Sequence, residues 1–120
     1  VPRAMVYCAE ARLNGRGTSR NDSLGVVYMH RAADSTNYLP ARNRLGELYM
    51  EGIASGQQEP LIALGYFKSV KNSPYSNIDQ RGQAEIGIHK VDQFVKQIQN
   101  YMLKSGGWVP LSTFDYRLRE

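Results

Sequence analysis

The stretch Ala41-Arg-Asn-Arg-Leu45-Gly46-Glu-Leu-Tyr49-Met-Glu-Gly52 decides the fold. Ala41, Leu45, Leu48 and Tyr49 fall at i, i+4, i+7 and i+8, which is one face of a helix. Gly46 inside that helix costs about 1 kcal/mol of propensity relative to Ala, tolerable where a neighbouring helix passes close to the backbone. Gly52 is the stop, because glycine enters the left-handed conformation that closes a helix without strain. Residues 54–60 read Ala-Ser-Gly-Gln-Gln-Glu-Pro, a loop whose Pro60 suits the first turn of a second helix. Leu61, Leu64, Tyr66, Phe67 and Val70 supply that helix's apolar content.

The same unit is written once before. Ala4, Cys8, Ala9 and Gly15 precede Ala41, Leu45, Gly46 and Gly52 by a constant 37 positions. Gly25-Val-Val-Tyr28-Met29 precedes Ala63-Leu-Gly-Tyr66-Phe67 by 38. Self-similarity at such a period marks stacked helix pairs. In the first copy the spacing predicts a helix from about Arg3 to Asn14, a loop over 15–21, and a second helix capped by Asp22 or Ser23 and ending near Ala33. Helices of about ten residues are marginal alone, so each pair must bury its apolar face against its neighbours. Cys8 takes the place of Leu45 and is expected to be a buried, inert thiol.

The motif Ala41-x-x-x-Leu45-Gly46-x-x-Tyr49-x-x-Gly52, followed by Ala63-x-x-Tyr66-Phe67, resembles the Sel-one-like repeat, a relative of the tetratricopeptide repeat. Tyr28-Met29-x-Arg31-Ala32-Ala33 resembles that family's aromatic-aromatic-x-Lys-Ala-Ala ending. The resemblance covers roughly residues 3–71; in the first copy Cys8, Ala9 and Arg12 replace the usual Leu, Gly and Tyr. It implies an all-α, right-handed α-α solenoid whose inner surface is lined by the first helix of each pair. By that resemblance Arg3, Val6 and Glu10 in the first copy, and Asn43, Glu47 and Met50 in the second, face a partner groove, with Arg81 continuing the row. It also implies a protein-interaction scaffold or adaptor that helps to assemble a larger complex, with a bacterial envelope, secretion or motility setting as one expectation. Paired cysteines, which mark the disulfide-rich bacterial branch of the family, are not present.

After residue 71 the pattern breaks. The linker Lys71-Asn-Ser-Pro-Tyr-Ser-Asn77 intervenes, and Ile86-Gly87 stands 41 positions beyond Leu45-Gly46, with Lys90 where the tyrosine would recur. From Ile88 to Lys104 there is neither Gly nor Pro. Ala84, Ile88, Val91, Val95, Ile98 and Met102 recur in steps of four and three, predicting one helix from about Ile78 to Lys104. It either caps the last repeat or docks on another subunit. The chain thus divides into two repeats over 1–71, a linker and long capping helix over 72–105, and an aromatic tail over 106–120. Trp108 and its neighbours either fold back onto the domain or anchor a partner.

Composition bounds the remaining possibilities. With 120 residues the chain is one domain's worth, and no apolar run approaches the roughly 20 residues needed to span a bilayer. It opens at Val1 without Met or a leader, so it is expected to be a fragment or processed product, preceded by further repeats or covered at that end in a complex. No catalytic constellation is found, and no metal or cofactor is expected: His30 and His89 lie far apart outside any ligand frame, and Cys8 is the only cysteine. His30, beside Arg31 at a helix end, reads as a solvated or helix-terminus residue rather than a ligand. The net charge of +4, with Arg12, Arg16 and Arg20 around the first loop, leaves an anionic polymer (polysaccharide or RNA) as the alternative partner. No RNA-recognition module appears, so a protein partner is the principal expectation and an enzyme is not expected.

Overall fold

The computed structural model describes residues 1–104. Among them every regular element is helical and there is no strand. The helices are α1 (Pro2–Asn14), α2 (Asp22–His30), α3 (Leu39–Glu51), α4 (Pro60–Lys71) and α5 (Ile78–Lys104), with a π-helical segment, Arg31–Ser35, continuing α2. The tail over 106–120, with Trp108, lies outside the described residues.

Local chemistry sets the helix ends. Gly15 (φ 70°) and Gly52 (φ 82°) close α1 and α3 in the left-handed conformation, as their spacing predicts. Pro2, Pro40 and Pro60 occupy first turns, where a missing N–H costs nothing. The cap of α2 is Asn21 rather than Asp22 or Ser23: its side-chain oxygen accepts from the Leu24 N–H at 3.0 Å. The α geometry ends at His30 and the chain continues as the π-helical segment, beyond the predicted end at Ala33. At the head of α5, Asn77 and Gln80 cap each other: Asn77 Oδ1 accepts from the Gln80 N–H (2.8 Å) and Gln80 Oε1 from the Asn77 N–H (3.0 Å).

Packing follows chain order. α1 lies against α2, α3 against α4 and α4 against α5, while α3 also touches α2 on one side and α5 on the other. One core cluster joins α1, α2, the π-helical segment and α3 through Leu13, Met29, Ala32, Leu45 and Leu48. A second joins α3, α4 and α5 through Leu39, Phe67, Val70, Ala84 and Val91. The two hairpins repeat each other's burial: Gly25 and Ala63, Val26 and Leu64, and Met29 and Phe67 are all buried, whereas Val27 and Gly65 are exposed.

Two further expectations change. Cys8 is exposed, although Leu45 at the matching position is fully buried. Leu45 lies in the cluster shared with the preceding hairpin, while no element among the described residues covers Cys8. The α5 stripe holds through Ala84, Ile88, Val91 and Val95, with Gly87 added, and then fades, leaving Met102 39% exposed. α5 has 27 residues against 12 in α4, so its last turns outrun the helix they would lie on.

Candidate functional site

Between α3 and α5 the surface sinks into a groove of about 220 Å³. Glu47, Met50 and Glu51 come from α3, Gln83, Ile86, Gly87 and Lys90 from α5, with Gln58 at one end and Phe67 beneath. Its depth has a steric origin. Gly46 and Gly87 carry no side chain where α4 pushes the Phe67 ring between α3 and α5: a Cβ on Gly46 would lie 2.5 Å from that ring, and one on Gly87 would be equally close. The close approach expected at Gly46 is therefore made by α4, through the Phe67 side chain. Ile86, 59% exposed, supplies an apolar edge next to Met50.

The groove continues as a charged row toward α1. Arg44 donates from Nε to Glu10 at 2.6 Å and from Nη1 to Glu47 at 3.0 Å, tying α1 to α3. Burial works against the Arg44 charge, but the bonds and charges of Glu10 and then Glu47 outweigh it, and the guanidinium pKa is raised. Glu10 and Glu47 are thus joined through Arg44, and Glu47 and Met50 line the groove. Val6 is half-buried against the first core cluster, and Arg3 and Arg81 are exposed without lining the groove. Asn43 differs in position: it is only 2% exposed, and its Nδ2 donates to the Gln80 carbonyl at 3.1 Å, joining α3 to the first turn of α5. Trp108 lies outside the described residues. Sequence reasoning missed Glu51, Gln83, Ile86 and Lys90 as groove residues, although Ile86-Gly87 matching Leu45-Gly46 carried the signal.

A second cluster links four elements elsewhere in the fold. His30 Nδ1 lies 2.9 Å from Asp34 Oδ2 and its Nε2 lies 3.0 Å from the Tyr49 hydroxyl. A carboxylate only accepts, so Nδ1 carries the proton, and in the neutral ring Nε2 accepts from Tyr49. Tyr66 donates to Asp34 Oδ1 at 3.4 Å and stacks on Tyr49 with ring centroids 5.9 Å apart. Burial first, and then the charge of Asp34, raise both phenol pKa values, that of Tyr66 to about 12. Neutral phenols at pH 7 are hydrogen-bond donors rather than nucleophiles, so the cluster works as a clip between the hairpins. His30 is the last residue of α2, the helix-terminus reading of the two, and is half-buried and engaged rather than solvated.

Among the described residues no group of three or more His, Cys, Asp and Glu side chains is placed to hold a metal ion, and no helix is long and apolar enough to cross a membrane. No family model, curated protein or solved structure matches this chain.

Proposed function

We propose that this chain is a protein-interaction scaffold or adaptor, built from two Sel-one-like helix-turn-helix repeats in a right-handed solenoid with α5 as its cap. The observation that carries the reading is the α3–α5 groove, in which Glu47 and Met50 meet Ile86 and Lys90 on one surface. A concave apolar floor with a charged rim suits a docked polypeptide segment. At about 220 Å³ it is smaller than the roughly 300–1,000 Å³ of cofactor and small-molecule sites, and it suits one or two side chains of a larger partner. No catalytic or cofactor role enters this reading, which extends to help in assembling a larger complex.

Among the described residues, only part of the cation set that the anionic-polymer alternative would use is held in ion pairs, and Arg12 and Arg16 are not in that part. Arg20 is engaged by Asp22 at 3.1 Å, and Arg44 by Glu10 and Glu47. Affinity capture from the native cell, comparing the wild-type chain with Ile86→Asp, tests the proposal. One stoichiometric protein retained by the wild type and lost by the variant supports it. Retention of RNA or polysaccharide by both forms, with no protein difference, overturns it.

A further inference from the structure

The geometry points to the chemistry of the docked segment: an aliphatic side chain beside a lysine or arginine, offered by a partner protein. This rests on the groove reading above and adds a charge preference to it.

The floor is apolar, with Met50 on α3, Ile86 on α5 and Phe67 between them. The α3 wall is acidic. Glu47 and Glu51 stand four residues apart, one turn along the same face of α3, and both are exposed. Glu47 shares its carboxylate with Arg44, whose single charge is already met by Glu10. Glu51 forms no ion pair among the described residues. Two carboxylates therefore meet an aliphatic seat, in a chain whose net charge is +4. An aliphatic group resting on Met50 and Ile86 brings its neighbouring residue to that wall. A cation there gains attraction at partial desolvation, whereas an acidic residue meets Glu47 and Glu51 and is repelled. Lys90 on the opposite wall acts against the cation, so the two walls predict opposite signs on substitution.

The chain's overall charge makes the preference diagnostic. A net +4 favours acidic ligands by long-range attraction, so selection for basic ones has to come from the local wall. The test uses three labelled peptides of one length and one leucine pattern, whose flanking positions are all lysine, all glutamine or all glutamate. Anisotropy titrations against the folded chain are expected to rank them lysine, glutamine, glutamate, with steps of about two- to fivefold. Glu51→Lys is expected to reverse that order, and Lys90→Gln to tighten the lysine peptide. If the three peptides bind alike, or glutamate binds best, while Ile86→Asp still abolishes binding, the charge preference is wrong and the groove reading stands. If Ile86→Asp, checked for folding by circular dichroism, leaves all three affinities unchanged, the groove reading fails and takes this inference with it.

Discussion

Gly46 of α3 and Gly87 of α5 abut the same edge of one ring, that of Phe67 on α4. This shared contact lets three helices meet, and it makes an unusual demand on glycine. In an exposed helix, Gly→Ala stabilises by up to about 1 kcal/mol. At positions 46 and 87 the new methyl would strike a ring that is only 2% exposed. Overpacking of that kind costs about 1–3 kcal/mol. Gly46→Ala and Gly87→Ala are therefore expected to lower the urea midpoint, and Phe67→Leu in the same chain to recover part of the loss. Gly65 and Gly82 are the controls: no atom lies within 4 Å of an added Cβ, so Gly65→Ala and Gly82→Ala are expected to raise it. Stabilisation at 46 or 87 would show that the ring does not occupy the gap.

The clip between the hairpins predicts a pH dependence. The Tyr66 phenol is raised from 10.0 to about 12 by burial, then by Asp34 and Tyr49, and Tyr49 is raised by burial, then by Asp34 and Glu59. The folded chain therefore holds these protons more tightly than the unfolded chain does. Below pH 10 both states are protonated and the contribution is complete. As pH rises from 10 toward about 12 the unfolded state loses its protons first, and stability falls. Urea midpoints at pH 8 and pH 11 are expected to differ more for the wild type than for Tyr66→Phe, which has no phenolic proton to lose. Equal pH slopes for the two chains would disprove the assignment.

Tyr49→Phe tests the same clip at neutral pH. It removes the donor to His30 Nε2 and keeps the ring stacked on Tyr66. The expected loss is about 0.5–1.5 kcal/mol, the net value of one hydrogen bond, read from thermal or urea unfolding. In a His30→Ala background the same substitution should cost clearly less, because the acceptor is already gone. Additive losses would mean that the contact carries no coupling.

Helix content and the equivalence of the hairpins were legible because small, aromatic and glycine positions report directly on one helix's own face. Gly25 and Ala63, or Met29 and Phe67, recur in spacing and share burial. What helical spacing does not carry is the identity of whatever lies across that face. Cys8 and Leu45 match in register but not in burial, because among the described residues a neighbouring hairpin packs on Leu45 and none packs on Cys8. His30 gave no sign of engagement, since Tyr49 and Tyr66 arrive from helices 19 and 36 positions later in the chain. Of the residues that line the groove, the repeat register named only Glu47 and Met50 on α3; those of α5 depended on how that helix lies beside it.

The buried Asn43 allows a sharper test, because its two side-chain atoms stand in different conditions. Nδ2 donates to the Gln80 carbonyl at 3.1 Å, while Oδ1 is buried without a hydrogen-bond partner. Asn43→Ala removes the bond to the Gln80 carbonyl as well as opening space, and a loss of about 0.5–1.5 kcal/mol is expected from the hydrogen bond alone. Asn43→Asp keeps the shape but, once ionised, can only accept. Its carboxylate would be desolvated and would face the Gln80 oxygen, so its folded-state pKa should rise above the ordinary value of about 3.9. A group whose pKa is raised on folding contributes fully below its unfolded value and loses that contribution as pH rises through the folded one. The deficit of Asn43→Asp relative to wild type is therefore expected to be small near pH 3, where the protonated acid can still donate to Gln80, and to grow toward pH 7. Paired urea titrations at the two pH values measure it, and a deficit that shrinks toward pH 7 would place Asn43 in water rather than between α3 and α5.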